Sequence, residues 1–260
     1  MKSRTVLITG AGTGIGAACA RRLASEGANL VLMGRRVAPL EAVAAETGGL
    51  VLAADVASSA DWPRCIAAIV ERFGGLDGVI ANAGGHGLGS ATDTGDDDWQ
   101  AAMRANLDSA FHTARACLPL LVQRRGSMVL MASIAALAAG EGVCGYTTAK
   151  HALIGLTRSL ARDYGPQGVR VNAVSPGWVR TPMADAEMQP LMERRGESLD
   201  AAYARVTAEV PLRRPASPEE IASVCRFLLG EESAIVTGIN LVADGGSSIV
   251  DVPTLAFGRG

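Results

Sequence analysis

The chain is nearly devoid of lysine: of 24 basic residues only Lys2 and Lys150 are lysines, and the rest are arginines. Aromatic residues are sparse too, at 4%, so a core has to be built mainly from aliphatic side chains. Charge of either sign is modest, with 24 basic against 26 acidic residues, a net charge of -2 and a pI near 6.0. That balance advertises no basic face and argues against a nucleic-acid or anionic-membrane partner. No apolar run approaches the roughly 18 residues needed to span a bilayer, the longest weakly polar stretch being 128–140. No signal-peptide pattern is evident, because strand-like TVLITG follows the start almost at once. These absences favour a cytoplasmic protein. The five cysteines, Cys19, Cys65, Cys117, Cys144 and Cys225, show no CxxC spacing and the three histidines no HExxH pattern, so no metal site is expected. Most of the cysteines sit in apolar helical patterns and read as small buried hydrophobes; Cys144 is the exception.

What is abundant is short apolar runs. RTVLITG, ANLVLMG, GLVLAAD, LDGVIAN, GSMVLMAS, VRVNAVS and INLVAD each read as a strand rich in Val, Leu and Ile. Amphipathic segments of helical length separate them, among them 14–26, 60–73, 97–121, 146–163 and 218–229. Strands apolar on both faces that alternate with helices predict an α/β, Rossmann-type doubly wound parallel sheet of seven strands, with helices on both faces and right-handed crossovers. With no repeat and no linker, residues 1–260 read as a single domain. One excursion interrupts the rhythm at about 176–215, where two short polar helical patterns suggest a lid or binding segment rather than idle loop.

TGAGTGIG, Thr9 to Gly16, follows the first strand and opens a helix, the context that separates a nucleotide-binding turn from a chance glycine cluster. Gly10 suits the tight turn, while Gly14 and Gly16 let backbone approach a pyrophosphate and the helix pack on the sheet. The helix N-terminus carries about half a positive charge toward the phosphates. Gly12, Thr13 and Ile15 complete the loop. Where an NAD-binding unit places an acid at the end of its second strand, this chain has Gly34 followed by Arg35 and Arg36. Loss of the carboxylate and gain of a guanidinium fork favour the 2′-phosphate of NADP(H), with NAD(H) as the alternative and two solvated arginines as the plainer reading. Asp55 and Val56 end the third strand, where the carboxylate suits an adenine amino group; Asn82, Ala83 and Gly84 end the fourth, small enough to lie against ribose.

Tyr146 and Lys150 in YTTAK are four apart in a helical pattern and therefore share a face. A free phenol has a pKa of about 10, and lowering it by about three units takes about 4 kcal/mol of differential interaction. A compact ammonium on a flexible stem can supply that interaction, whereas a planar guanidinium does so poorly. Ser133 ends the fifth strand thirteen residues before the tyrosine, where its hydroxyl can bond the oxygen that Tyr146 protonates. Asn106 lies within the long helical pattern 97–121 and reads either as a holder of water or backbone in a proton path or as a buried amide.

With these residues in this order and spacing, together with SPGWVRT from Ser175 to Thr181, the chain resembles the short-chain dehydrogenase/reductase family over nearly its whole length. The resemblance implies hydride transfer with a nicotinamide cofactor and a tetrad of Asn106, Ser133, Tyr146 and Lys150. In it, Tyr146 is general acid or base, Lys150 tunes it and holds ribose, Ser133 orients substrate, and Asn106 supports a water relay. It also implies that Pro176, Gly177, Val179 and Thr181 lie along the nicotinamide end and that the chain forms a homotetramer. Thr13 departs from the pattern, standing where many NADP users carry a basic residue. His86, Ala135, Val143, Cys144, Trp178 and Met183 fall where relatives line a mostly apolar substrate pocket. His86 reads either as a solvent-facing loop residue or as a contact to a polar substrate group.

The expected activity is NADP(H)-dependent interconversion of a secondary alcohol and a ketone. Alternatives are a 3-oxoacyl-(acyl-carrier-protein) reductase, for which only Arg124 and Arg125 suggest a docking cluster, and an NAD-dependent alcohol dehydrogenase. A halohydrin-dehalogenase-like lyase and a noncatalytic nucleotide sensor fit less well, because the glycine loop and the tetrad are intact.

Overall fold

Strand β1 (Thr5–Thr9) sends Val6 and Ile8 to one face of a sheet and Leu7 to the other, and β2 (Asn29–Gly34) divides Leu30 and Leu32 from Val31 and Met33 in the same way. This two-residue period lets a fully apolar run serve two cores at once. The computed structural model describes residues 1–257 and completes the sheet with β3 (Leu50–Ala53), β4 (Gly78–Ala81), β5 (Ser127–Met131), β6 (Arg170–Pro176) and β7 (Asn240–Ala243). All pairings are parallel and the order is β3-β2-β1-β4-β5-β6-β7. The expected single-domain, seven-stranded, doubly wound architecture is therefore observed.

One core lies under α3 (Trp62–Phe73), α5 (Ser109–Arg124) and α6 (Cys144–Tyr164). The other lies under α1 (Gly14–Ser25), α2 (Val37–Thr47) and α9 (Pro218–Leu229). Cys19, Cys65, Cys117 and Cys225 are buried in these layers and Cys144 is partly exposed, as their sequence contexts suggest. The strand order reverses between β1 and β4. In a parallel sheet that switch opens a crevice at the carboxyl ends of the strands, and every loop singled out above emerges at that edge.

The long helix expected over 97–121 is not continuous. The chain forms α4 (Asp96–Met103), a π-helical turn at Arg104–Asp108, and then α5. One extra residue in a turn leaves the apolar pattern nearly unchanged, which is why periodicity reads straight through it. Its effect is local: the inserted turn carries Asn106, which is 1% exposed.

The excursion after β6 folds into α7 (Pro182–Arg195) and α8 (Leu199–Val206), closed over a small core of Ala184, Met188, Ala202 and Tyr203 that is separate from the two main ones. The Tyr203 side chain is 1% exposed and its hydroxyl donates to Asp185 Oδ1 at 2.8 Å. Replacing Tyr203 with Ala removes roughly 3 to 5 kcal/mol of packing from this satellite alone. The expected outcome is cleavage between residues 182 and 207 accelerated at least about tenfold in limited proteolysis, while the main urea transition shifts by less than about 1 kcal/mol.

Candidate active site

The glycine loop is built by close backbone approach. Gly10 (φ +65) and Gly14 (φ +53) occupy the left-handed region, and a Cβ on Gly16 would stand 2.3 Å from the Gly10 carbonyl oxygen. No other residue fits there without moving the turn. Gly12 packs on Pro39 of α2, Thr13 precedes α1 in extended backbone, Ile15 is partly buried, and Gly14 faces the side chain of Thr181. Sequence reading missed the device that holds this turn to β4. The buried Thr9 hydroxyl accepts from the backbone N–H groups of both Asn82 and Ala83 at 3.0 Å, while Asn82 Nδ2 donates to the carbonyls of Thr9 and Gly10. The result is a cradle of backbone at the start of α1, which fits a pyrophosphate in shape and polarity.

Along the same edge, Arg35 and Arg36 are exposed at the end of β2, and Arg36 Nη2 lies 3.5 Å from Thr13 Oγ1 as a donor. Asp55 and Val56 follow β3. The Asp55 carboxylate is already engaged: Arg104, from the π turn, donates to Oδ2 at 2.7 Å and the Ala57 N–H to Oδ1 at 3.0 Å. Burial works to raise the Asp55 carboxyl, but Arg104, Ala57 and the charge of Arg35 outweigh it and hold the group below its usual range. The carboxylate expected to meet adenine thus has a partner within the protein, Arg104, that lies 49 residues away and left no local signal.

Lys150 is 4% exposed and its Nζ donates to the Met131 carbonyl at 2.9 Å, at the end of β5. The same Nζ lies 5.4 Å from the Tyr146 ring centroid, so the two share a helix face as their spacing requires. Ser133, just past β5, accepts the Ala135 N–H at 3.1 Å and starts a short 3₁₀ turn. Asn106 Oδ1 accepts the Gly85 N–H at 3.2 Å and its Nδ2 donates to the Ala102 carbonyl at 3.0 Å. Its amide thus ties the loop after β4 to the π turn. Gly84 is the gap through which these groups meet: a Cβ there would stand 3.0 Å from Asn106 Oδ1 and 3.6 Å from Lys150 Nζ.

The electrostatics differ from the expectation that lysine pulls the phenol down. Burial pushes the Tyr146 phenol above its usual range, the adjacent Ser133 hydroxyl draws it back in part, and the charge of Glu187 adds to the rise. Burial also pushes Lys150 down to about 8. Desolvation disfavours both charged forms, and it is the largest cause of the shift at each group.

Of the pocket residues, Val143 and Cys144 flank the start of α6, held by a backbone bridge from Gly89 to Val143. Ala135 lies on the 3₁₀ turn and Met183 on exposed α7 surface. Trp178 packs against the satellite core, and its carbonyl accepts the Ala216 N–H at 2.8 Å. Pro176 and Val179 are buried, a Cβ on Gly177 would meet Asp244 at 3.0 Å, and Thr181 caps α7 through a 3.2 Å bond from the Ala184 N–H. His86 is neither free nor alone: its Nδ1 lies 3.1 Å from Oε1 of Glu187 on α7. Glu187 had no signal in a polar helical stretch. Among the described residues no cluster of three or more His, Cys, Asp or Glu could hold a metal, and no helix is long and apolar enough to cross a membrane.

This arrangement has close counterparts. Residues 10–248 match the family model described as enoyl-(acyl carrier protein) reductase. The chain belongs to the short-chain dehydrogenase/reductase family. It is 54% identical to protein MoaE of Klebsiella aerogenes over 98% of this chain and 99% of the relative. It is also 32% identical to meso-2,3-butanediol dehydrogenase of Serratia marcescens, over 96% of each. A variant of actinorhodin polyketide ketoreductase crystallised with NADPH superposes with a TM-score of 0.89 at 32% identity, over 95% of this chain and 98% of that one. As a member of this family the protein is an oxidoreductase acting on CH–OH groups with a nicotinamide cofactor.

The buried lysine has a measurable signature. Its folded pKa of about 8 lies below the ordinary lysine value of 10.5, so between those values the unfolded chain binds more protons and the Lys150 contribution to stability rises with pH. The difference in unfolding free energy between wild type and Lys150→Met should therefore grow from pH 8 toward pH 10, with a slope of up to about 1.4 kcal/mol per pH unit. Urea melts across that range check it.

Proposed function

We propose that this protein interconverts a secondary alcohol and a ketone with NADP(H), using Tyr146 as general acid and base. The observation that carries the reading is the convergence of Tyr146, Ser133 and Lys150 at the carboxyl edge of the sheet, beside a glycine turn that only backbone can fill. When bound, the nicotinamide supplies or accepts the hydride. The chain's own residues do the rest. Ser133, whose hydroxyl favours the ionised phenol, orients the substrate oxygen beside Tyr146. Tyr146 gives that oxygen a proton in reduction and takes it back in oxidation. The Lys150 ammonium has three donors and commits one to Met131, which leaves donors for ribose hydroxyls and for a proton path. Asn106 acts as a positioning residue, since both ends of its amide hold backbone.

The preference for NADP(H) is supported by Gly34 in place of an acid, by Arg35 and Arg36 exposed at the adenosine end, and by the structural relative crystallised with NADPH. A docking role for acyl carrier protein is not supported by Arg124. Its guanidinium is committed to Asp77 at 3.1 Å and to the Phe73 carbonyl at 3.0 Å, at the opposite edge of the sheet from the site.

Tyr146→Phe should lower kcat/KM for ketone reduction by at least about 10³, with NADPH affinity by fluorescence titration within about threefold of wild type; retained turnover would overturn the assignment. Arg35→Ala should weaken NADPH by at least about tenfold through loss of a charge-assisted bond and leave NADH nearly unchanged. Equal losses for the two nucleotides would remove the 2′-phosphate contact. A screen of NADPH and NADH oxidation over ketones, diketones and acyl thioesters tests the reading as a whole.

A further inference from the structure

Among the described residues, one charged contact joins the loop after β4 to helix α7 near the tyrosine. The Gly87 carbonyl accepts the Tyr146 N–H at 3.2 Å, and a Cβ on Gly87 would stand 2.5 Å from that nitrogen. The loop is therefore pinned to the tyrosine backbone, and His86 stands one residue away. His86 in turn faces Glu187, with 44% of the histidine and 36% of the glutamate side chain exposed. Among the described residues only Oε1 of Glu187 has a hydrogen-bonding or ionic partner, although a carboxylate can accept several donors. The other carboxylate oxygen is therefore available as an acceptor, and the residues expected to line the pocket beside it, Val143, Cys144, Trp178 and Met183, carry no formal charge.

We propose that Glu187, oriented by His86, is a substrate-binding carboxylate that selects carbonyl compounds bearing a second, hydrogen-bond-donating group, either a hydroxyl or a protonated amine. The inference rests on the reductase reading above and names a substrate class for the same site. It explains an arrangement that is otherwise unfavourable for the chemistry: a negative charge near Tyr146 opposes phenolate formation, and partial burial raises the Glu187 carboxyl itself despite the nearby imidazole. A donor on the substrate would satisfy the carboxylate and relieve its effect on the phenol at the moment the substrate is in place.

A rigid series decides the matter: cyclohexanone, 4-hydroxycyclohexanone, 4-aminocyclohexanone and 4-oxocyclohexanecarboxylate, each assayed with NADPH and with NADH. Wild type should favour the hydroxyl or the amine over the parent ketone by at least about tenfold in kcat/KM and disfavour the carboxylate. Glu187→Leu should bring the ratio to within about threefold of unity. Glu187→Gln should keep a hydroxyl preference and lose an amine preference, which identifies the donor, and Glu187→Asp should restore part of either. A pair that served only to latch the lid would lower all four ketones together in Glu187→Leu; an unchanged ratio, or a wild-type ratio of one, overturns the proposal. Calorimetric binding of trans-4-aminocyclohexanol and of trans-1,4-cyclohexanediol in the presence of NADPH, where no hydride acceptor is available, gives a readout independent of turnover. If wild type reduces none of the ketones yet binds either compound and Glu187→Leu does not, the reductase reading falls and the carboxylate site stands. Equal binding, or none, overturns the site.

Discussion

The ammonium of Lys150 bonded to the Met131 carbonyl is the contact on which the rest of the site depends. It buries a cation at 4% exposure between the end of β5 and the middle of α6, and because Tyr146 is one helical turn away, fixing the lysine fixes the phenol. Taking a charge out of water is costly, and a lysine can meet part of that cost by giving up its proton more readily, as the fall to about 8 records. Arginine has no such recourse, since its guanidinium stays protonated. A chain that uses arginine almost everywhere else thus has a physical reason for lysine here.

Gly84 connects this contact to the opposite wall. Without a Cβ, the loop after β4 runs beside Nζ and brings Gly85 to the Asn106 amide, whose other end holds the Ala102 carbonyl. The π turn at Arg104–Asp108 is what allows that reach. The same turn presents Arg104 to Asp55 on β3, so one extra residue in a helix serves both ends of the crevice. Thr9 does comparable work at the other side of the switch point, where a single buried hydroxyl accepts two backbone N–H groups and locks the glycine turn to β4.

What could be read before the structure follows from how each feature is encoded. Apolar runs of strand length carry their own signal, and left-handed turns demand glycine, so the sheet and Gly10, Gly14 and Gly16 were legible. Tyr146 and Lys150 were legible because helical spacing alone puts them on one face. The π turn was not, since a 3.6-residue pattern absorbs one extra residue without a break in amphipathicity. Arg104 with Asp55, and His86 with Glu187, were not either. Each joins side chains whose local surroundings look solvated, and only the folding of distant loops over one edge of the sheet makes them partners.

The balance of charges also settles which protonation state the bare site favours. At neutral pH a phenol raised by burial keeps its proton, while a lysine with a pKa of about 8 is still largely an ammonium. That combination is a proton donor held beside a cation, the state carbonyl reduction requires. Alcohol oxidation requires the phenolate, and raising the pH to obtain it soon discharges the ammonium that would stabilise it. The remaining influences on Tyr146 are Ser133, which favours the phenolate, and Glu187, which opposes it. Of these, Glu187 is the one a substrate can neutralise without disturbing the fold, because it is partly exposed and sits on α7, outside the two main cores. The protein therefore leaves to its ligand the last adjustment of the phenol, through a carboxylate that has no place in the proton path.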